Sequence, residues 1–118
     1  MATSAARSWL EELFAAQLGD LGIVFQREVR FHPVRKWRFD FVLIVGYDKV
    51  AVEINGAIYR RGRHSRGSGL EGDYEKLNEA QMMGYKVFQF SSNQVQNLDA
   101  INFIKRILER NVECYPTP

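Results

Sequence analysis

Hydrophobic positions recur with two different periods along this chain of 118 residues. Spacings of three and four residues, typical of amphipathic helices, alternate with β-branched and aromatic runs, typical of strands. The pattern predicts helices over Ala5–Leu18, Leu70–Met83 and Leu98–Arg110, and strands over Ile23–Phe31, Trp37–Val45, Lys49–Gly56 and Tyr85–Phe90. This order predicts an α/β fold with a mixed β-sheet flanked by helices. We expect a single domain over 1–118, with its core at about 5–110 and a tail at 111–118.

Two carboxylates interrupt the predicted β-hairpin. Asp40 lies between two phenylalanines, and Glu53 lies between two aliphatic residues. Gly46–Asp48 supplies turn residues, and pairing around them sets positions whose numbers sum to about 93 opposite each other. Asp40 then faces Glu53. Because two buried carboxylates repel each other unless a cation offsets them, the hairpin predicts a divalent metal site.

The first predicted helix offers a third acidic group. At about 100° per residue, Glu11 lies about 60° from the apolar position Phe14, whereas Glu12 lies about 160° away. Glu11 is therefore the acid that would face the core. The alternative is that both glutamates are surface charges that favour the N-terminal half of the helix.

The two later helices carry further candidates. In the second helix we expect Tyr74, Leu77, Ala80 and Gln81 to face the core. Lys76 lies on its flank, from which it could reach the sheet; the alternative is an ordinary exposed Glu/Lys surface. The last helix is apolar over a wider face than one sheet surface covers, a width that would also serve a subunit interface.

The formal net charge of +2 conceals an asymmetry, because ten of the sixteen Lys and Arg residues lie between positions 26 and 66, with only four acidic residues. A basic segment around two acids is typical of a site that binds phosphate and holds metal. The alternative, a solvated charged face, usually alternates in sign. The candidate DNA contacts in this segment are Arg35, Lys36, Arg38, Asn55, Arg60, Arg61, Arg63, His64 and Arg66.

Two residues of this basic segment keep more than one interpretation. Trp37, interleaved with basic residues, suits an exposed base or sugar, and it equally suits a core position with snorkelling neighbours. His64 lies in Arg60–Gly69, a stretch rich in Arg, Gly and Ser that is typical of a flexible loop approaching phosphates. His64 is a candidate proton shuttle, a phosphate donor, or an ordinary loop residue.

Cysteine content and hydropathy exclude several classes of protein. The single cysteine, Cys114, rules out an intrachain disulfide framework and a cysteine-based zinc finger. No apolar run approaches the roughly 20 residues of a membrane span, and the N-terminus lacks the apolar region of a signal peptide. We therefore expect a cytoplasmic protein, in the host cytoplasm if it is phage-encoded, without a membrane partner.

The hairpin acids also carry a resemblance. Phe39-Asp40, a spacer of a dozen residues and then Glu53 and Asn55 resemble the core of the PD-(D/E)XK nucleases, which have a restriction-endonuclease-like fold. Over nearly the whole chain, the order of motifs is similar to small phage-borne Holliday junction resolvases of the archaeal type and, more distantly, to very-short-patch-repair endonucleases. These motifs are Arg30–Pro33, Trp37–Asp40, Val52–Gly56, Gly62–Gly67, Tyr74–Asn78 and Gly84–Val87.

The resemblance implies roles for individual residues. Asp40 and Glu53 would be ligands of Mg²⁺, with Mn²⁺ also expected to support activity, and Glu11 would be the helix-borne catalytic acid. The sequence departs from the family at two positions: Phe39 stands where many members have Pro, and Asn55 stands where the Lys of Glu-X-Lys is usual. That lysine orients the attacking water or neutralises developing charge.

In some branches of the family this lysine has moved to the following helix. Lys76 is the candidate for that position here, and His64 is the second candidate.

The expected function is a Mg²⁺-dependent, structure-selective endodeoxyribonuclease that resolves four-way (Holliday) junctions in DNA by paired symmetric nicks. Two symmetric nicks imply a twofold homodimer. Nothing in the sequence resembles a base-reading helix, so we expect selectivity for DNA shape. Two alternatives stay open: a monomeric nicking enzyme of the mismatch-repair kind, and a noncatalytic DNA-binding module, which the missing Glu-X-Lys lysine suggests.

Overall fold

The structure, a computed structural model, describes the backbone of residues 2–54 and 68–114 and the side chains of residues 9–54 and 71–110. In this part of the chain the helices are α1 (Ala2–Asp20), α2 (Ser68–Met82), α3 (Ser92–Gln96) and α4 (Asp99–Cys114), and the strands are β1 (Phe25–Arg30), β2 (Arg38–Val45), β3 (Asp48–Ile54) and β4 (Tyr85–Phe90). The predicted fold class, a mixed sheet flanked by helices, is confirmed.

The four strands form one sheet in the order β1-β2-β3-β4. The first three strands are antiparallel, and β4 runs parallel to β3. A parallel pair requires a crossover connection, and α2 lies in the crossover from β3 to β4. None of the helices in the described part of the chain combines the length and the apolarity that a bilayer crossing requires.

The predicted register of the hairpin is confirmed. The ladder between β2 and β3 runs from Val45 opposite Asp48 to Phe41 opposite Val52, so the numbers of each pair sum to 93. Gly46 has a φ of 64° at the first position of the two-residue turn, where glycine tolerates a positive φ without steric cost. This ladder ends one residue short of Asp40 and Glu53, so the predicted pairing of these two acids lies beyond it.

Two hydrophobic cores lie on opposite faces of the sheet. On β3, alternate residues serve different cores, because successive side chains of a strand point to opposite faces. The first core packs against α1, α3 and α4, and its buried members are Leu10, Phe14, Leu18, Phe41, Leu43, Val45, Val50, Val52, Ile54, Phe90, Val95, Ala100, Ile101 and Ile104. The second core packs against α2, and its buried members are Phe31, Phe39, Val42, Ala51 and Ala80.

Helix α2 presents a different face to the sheet from the one its apolar residues predict. Tyr74 is 57% exposed and Leu77 and Gln81 are exposed, so the expectation that they face the core is wrong; for Ala80 it is confirmed. Lys76 is buried instead. The physical reason is the surface below the helix, which is already filled by aromatic rings and carries a strand carboxylate that needs a cation.

Helix α4 uses its wide apolar face within the chain. Ile101 and Ile104 are buried in the first core, and Phe103 is half-buried against it. The Phe103 ring lies 5.2 Å from the ring centroid of Phe88 and 5.8 Å from that of Phe90. The chain's own core therefore accounts for much of the width that suggested a subunit interface.

The short helix α3 was not predicted, although its sequence carries a start signal. The Ser91 hydroxyl accepts a hydrogen bond from the Gln94 amide at 3.2 Å, and the Ser91 amide donates to the Gln94 side chain at 2.9 Å. This reciprocal pair is a capping box, which satisfies amide groups that the first turn of a helix leaves open. The turn that follows buries Val95 in the first core.

Candidate active site

The alternation of side chains between the two faces of the sheet is interrupted in strand β2 at Asp40, a change of faces. Phe41 lies in the first core and Phe39 in the second, although residues two apart in a regular strand share a face. On the neighbouring strand β1, Glu28 has a φ of 52°, a left-handed conformation that costs a non-glycine residue on the order of 1 kcal/mol or more. At this irregular position the Asp40 carboxylate is buried, and the Ile54 amide of β3 donates to its Oδ2 at 2.8 Å.

Three carboxylates from three different elements meet beside this irregularity. Glu11 of α1, Glu28 of β1 and Asp40 of β2 each place one oxygen within 4.8 Å of the other two. We call these three residues the acidic cluster. Its donors are all carboxylate oxygens, the type of ligand that hard divalent cations prefer.

The inward orientation predicted for Glu11 is confirmed, since its side chain is 13% exposed and that of Glu12 is 65% exposed. Arg27 lies between these two glutamates, with a nitrogen 2.7 Å from Glu12 Oε2 and another 3.9 Å from Glu11 Oε1. Its guanidinium carbon also lies 5.5 Å from the centroid of the Phe41 ring. Arg27 thus joins α1 to β1 and supplies one positive charge at the border of the acidic cluster.

Glu53 and Lys76 form an ion pair on the other side of the sheet. Lys76 Nζ lies 2.7 Å from Glu53 Oε2, and the two side chains are 7% and 13% exposed, respectively. The same Nζ lies 5.1 Å from the centroid of the Phe39 ring. The lysine predicted to have moved to the helix is therefore in contact with the β3 carboxylate.

The structure thus brings the predicted site residues together in two groups. Asp40 joins Glu11, and Glu53 joins Lys76. Glu28 belongs to the first group and is not among the site residues that the sequence predicts. The sequence does carry a signal that β1 is irregular near Glu28, because Arg27 breaks the alternation of apolar residues along this strand. The role of Glu53 as a metal ligand stays a prediction.

The predicted DNA contacts fall partly within the described residues. Arg35, Lys36 and Arg38 are exposed, on the connection before β2 and at its first residue. The remaining predicted contacts lie outside the described residues; they are Asn55, Arg60, Arg61, Arg63, His64 and Arg66.

His32 organises the connection between β1 and β2. Its Nδ1 accepts hydrogen bonds from the amides of Val34 at 3.2 Å and Arg35 at 2.9 Å. Because Nδ1 accepts both bonds, the ring proton must be on Nε2, which lies 3.1 Å from Glu79 Oε1 on α2 and donates to it. The turn is therefore tied to the helix that carries Lys76.

The side chain of Arg35, a residue of this turn, stacks on the face of the Trp37 ring. Its guanidinium carbon lies 4.1 Å from the indole ring, and one of its nitrogens lies 3.7 Å from Glu75 Oε2. Trp37 is half-buried and packs against the second core, as the core interpretation of this tryptophan expected. A stacked guanidinium keeps its edge available for hydrogen bonds, so Arg35 is held in a defined place with 46% of its side chain exposed.

Replacing His32 with Ala should loosen this turn. The Val34 and Arg35 amides lose their acceptor, so we expect faster hydrogen exchange at both and a free energy of unfolding lower by about 1 kcal/mol, since the turn is exposed. His32→Asn is the matched variant, because an asparagine oxygen can accept bonds from amides two or three residues later. Equal protection of the two amides in wild type and His32→Ala would show that His32 does not hold the turn.

The architecture around these two groups of residues is a mixed four-stranded sheet flanked by helices. A solved structure that shares it is the catalytic domain of the homing endonuclease I-Bth0305I, with a TM-score of 0.60 and 23% sequence identity, over 87% of this chain and 96% of that one. At 23% sequence identity, this structural similarity shows that the two chains share a fold. No family model and no curated protein matches the chain.

Proposed function

We propose that the protein is a metal-dependent endodeoxyribonuclease. The observation that carries the proposal is the acidic cluster, which three separate elements build beside the irregularity at Asp40. A buried ion pair between Glu53 of the adjoining strand β3 and Lys76 of α2 accompanies it. Phosphodiester hydrolysis needs an activated water and relief of negative charge on the phosphate. The fold of a homing endonuclease catalytic domain supports this class of reaction.

The acidic cluster fits a divalent metal ion. Its donors are three carboxylate oxygens within 4.8 Å of one another, which suits Mg²⁺ and also Mn²⁺. Glu11, Glu28 and Asp40 would hold the ion, with Asp40 oriented by the Ile54 amide. When bound, the ion would activate the attacking water and offset charge on the phosphate. The sequence predicts Asp40 and Glu53 as the metal ligands, and Asp40 also belongs to the acidic cluster.

Lys76 takes the role of the absent Glu-X-Lys lysine. Asn55 stands at the usual position, but the ammonium group of Lys76 bonds the carboxylate of Glu53 from the following helix. In this position Lys76 would neutralise charge that develops on the phosphate, while Glu53 keeps the ammonium group oriented. His64 remains the second candidate for this role.

The basic connection before β2 would position DNA. Arg35, Lys36 and Arg38 are exposed within five residues of Asp40, and the His32 turn holds the first of them in place. Contacts of Arg and Lys with phosphates align a duplex without reading its sequence. We extend this role to the predicted basic residues of the stretch 60–66.

Within this function, we propose the four-way junction as the substrate and Mg²⁺ as the cofactor. The order of motifs along the chain supports the junction, and the lack of a base-reading helix in the sequence supports selectivity for DNA shape. Paired symmetric nicks require two active sites related by a twofold axis, so the acting form would be a homodimer.

The test uses end-labelled four-way junction, linear duplex and mismatched duplex, each with Mg²⁺ and with EDTA. We expect paired symmetric nicks in the junction with Mg²⁺ and none with EDTA, because the acidic cluster needs its cation to work. A denaturing gel maps the products, and sedimentation of the protein–junction complex measures its subunit number.

The other outcomes separate the alternatives. Nicking of the mismatched duplex alone would replace the junction proposal with the mismatch-repair alternative. Binding that weakens steeply with salt, without any Mg²⁺-dependent product, would contradict the nuclease proposal and favour a noncatalytic DNA-binding module.

A further inference from the structure

Three aromatic rings form a column through the second core. Trp37 and Phe31 are stacked, with centroids 6.2 Å apart and planes inclined by 17°. Phe31 and Phe39 are stacked more closely, with centroids 4.3 Å apart and planes inclined by 13°. We call Trp37, Phe31 and Phe39 the aromatic column.

A cation lies at each end of the aromatic column. At the outer end, the Arg35 guanidinium covers Trp37 at 4.1 Å. At the inner end, Lys76 Nζ lies 5.1 Å from the centroid of Phe39, a ring that is 1% exposed. The face of an aromatic ring attracts cations, and the attraction is stronger where water is excluded. The buried ammonium group is therefore attracted both by the Phe39 ring and by the carboxylate of Glu53, which lies at 2.7 Å.

We propose that Phe39 is a positioning residue for Lys76. A lysine side chain has four flexible carbons, and one ion pair to a carboxylate leaves it several conformations. The Phe39 ring supplies a second direction of attraction, so that ring and carboxylate together restrict where Nζ can lie. Stacking on Phe31 restricts the ring in turn. The consequence for DNA cleavage rests on the proposed nuclease function.

The change of faces at Asp40 is what brings the ring to Lys76. In a regular strand Phe39 would share the face of Phe41 and point into the first core, away from α2. The irregularity instead places Phe39 in the second core, on the side of the sheet that α2 covers.

The first test measures the position of the lysine without any DNA. The full-length protein is treated with a water-soluble acylating reagent, and the labelling rate of Lys76 is compared with that of exposed Lys105 by mass spectrometry. Phe39→Leu keeps an apolar side chain but removes the aromatic face, so we expect Lys76 to be labelled several-fold faster while Lys105 is unchanged. Phe90→Leu is the matched control, because it makes the same truncation in the first core.

A second variant covers the case in which Phe39→Leu does not fold. Trifluorophenylalanine at position 39 nearly preserves the shape of the ring but withdraws electron density from its face, which weakens its attraction for a cation. We expect faster labelling of Lys76 here too. Labelling of Lys76 at the wild-type rate in this variant would overturn the inference, because shape alone would then explain the contact.

The second test measures the effect on cleavage. We expect Phe39→Leu and the trifluorinated variant to lower kcat about 10-fold or more with little change in KM, since a displaced catalytic group affects the chemical step. Phe90→Leu should retain wild-type kcat. Faster labelling of Lys76 in a protein that never cleaves DNA would support the positioning of Lys76 while contradicting the nuclease proposal. An unchanged kcat with faster labelling would contradict a catalytic use of that position.

Discussion

Replacing Asp40 with Asn is expected to abolish DNA cleavage, a loss of about 10³-fold or more, comparable to the loss of a main electrostatic contribution to a transition state. The amide removes a negative charge from the acidic cluster, but its oxygen can still accept the hydrogen bond from Ile54, so the fold should persist. Binding of the junction should be unchanged or tighter, because one charge that repels phosphate is gone. Gel assays of cleavage and of binding check both expectations.

Direct metal binding provides an independent measurement of the same variant. Titration with Mn²⁺, followed by electron paramagnetic resonance, should show a loss of affinity for Asp40→Asn. Asp20→Asn, an exposed change at the end of α1, is the matched control and should bind metal as wild type does. Appreciable cleavage by Asp40→Asn would contradict the metal-site assignment, whereas lost cleavage with unchanged Mn²⁺ affinity would give Asp40 another role.

Replacing Lys76 with Ala is expected to affect both cleavage and stability. Loss of its charge should lower kcat by about 10²-fold or more. The change also leaves Glu53 mostly buried without the ammonium group, so the free energy of unfolding should fall by about 3 kcal/mol. Cleavage assays and urea denaturation measure the two effects on one preparation.

A double variant separates the two effects of losing Lys76. In Lys76→Met combined with Glu53→Gln, neither partner is charged, so much of the stability should return while cleavage stays low. Lys105→Ala, at an exposed position of α4, is the control. Nearly wild-type cleavage by Lys76→Ala would remove Lys76 from the mechanism and make His64 the candidate for its role.

The sequence predicted the hairpin in detail, because several local signals agreed on it. Gly46 marks the turn, apolar runs on both sides of it define the two strands, and pairing around the turn sets the register. Strand β4 was predicted with the bounds that the structure has, and the orientation of Glu11 followed from helical geometry alone. These features depend on neighbours close in sequence, which periodicity describes well.

The orientation of α2 could not be obtained in this way. Periodicity ranks residues by hydrophobicity and favoured Tyr74 and Leu77 as the inward face. The helix instead turns Lys76 inward, because the sheet surface below it presents Glu53 next to the aromatic rings of the second core. Burying a lysine is costly unless a carboxylate lies close enough to pair with its ammonium group. The distance between the ammonium group and a carboxylate on another element depends on the tertiary structure.

By itself, the sequence determined the order of the elements other than α3, the hairpin register, and the positions of the acids Asp40 and Glu53 in the hairpin, since each follows from local patterns of side-chain chemistry. Only the tertiary structure decided how the acids group. It joined Asp40 with Glu11 and with Glu28, which is not among the residues that the sequence predicts for the site, and it paired Glu53 with Lys76. The physical reason is that carboxylate repulsion and ion pairing depend on distances of a few ångströms between elements far apart in sequence, and those distances are set by packing.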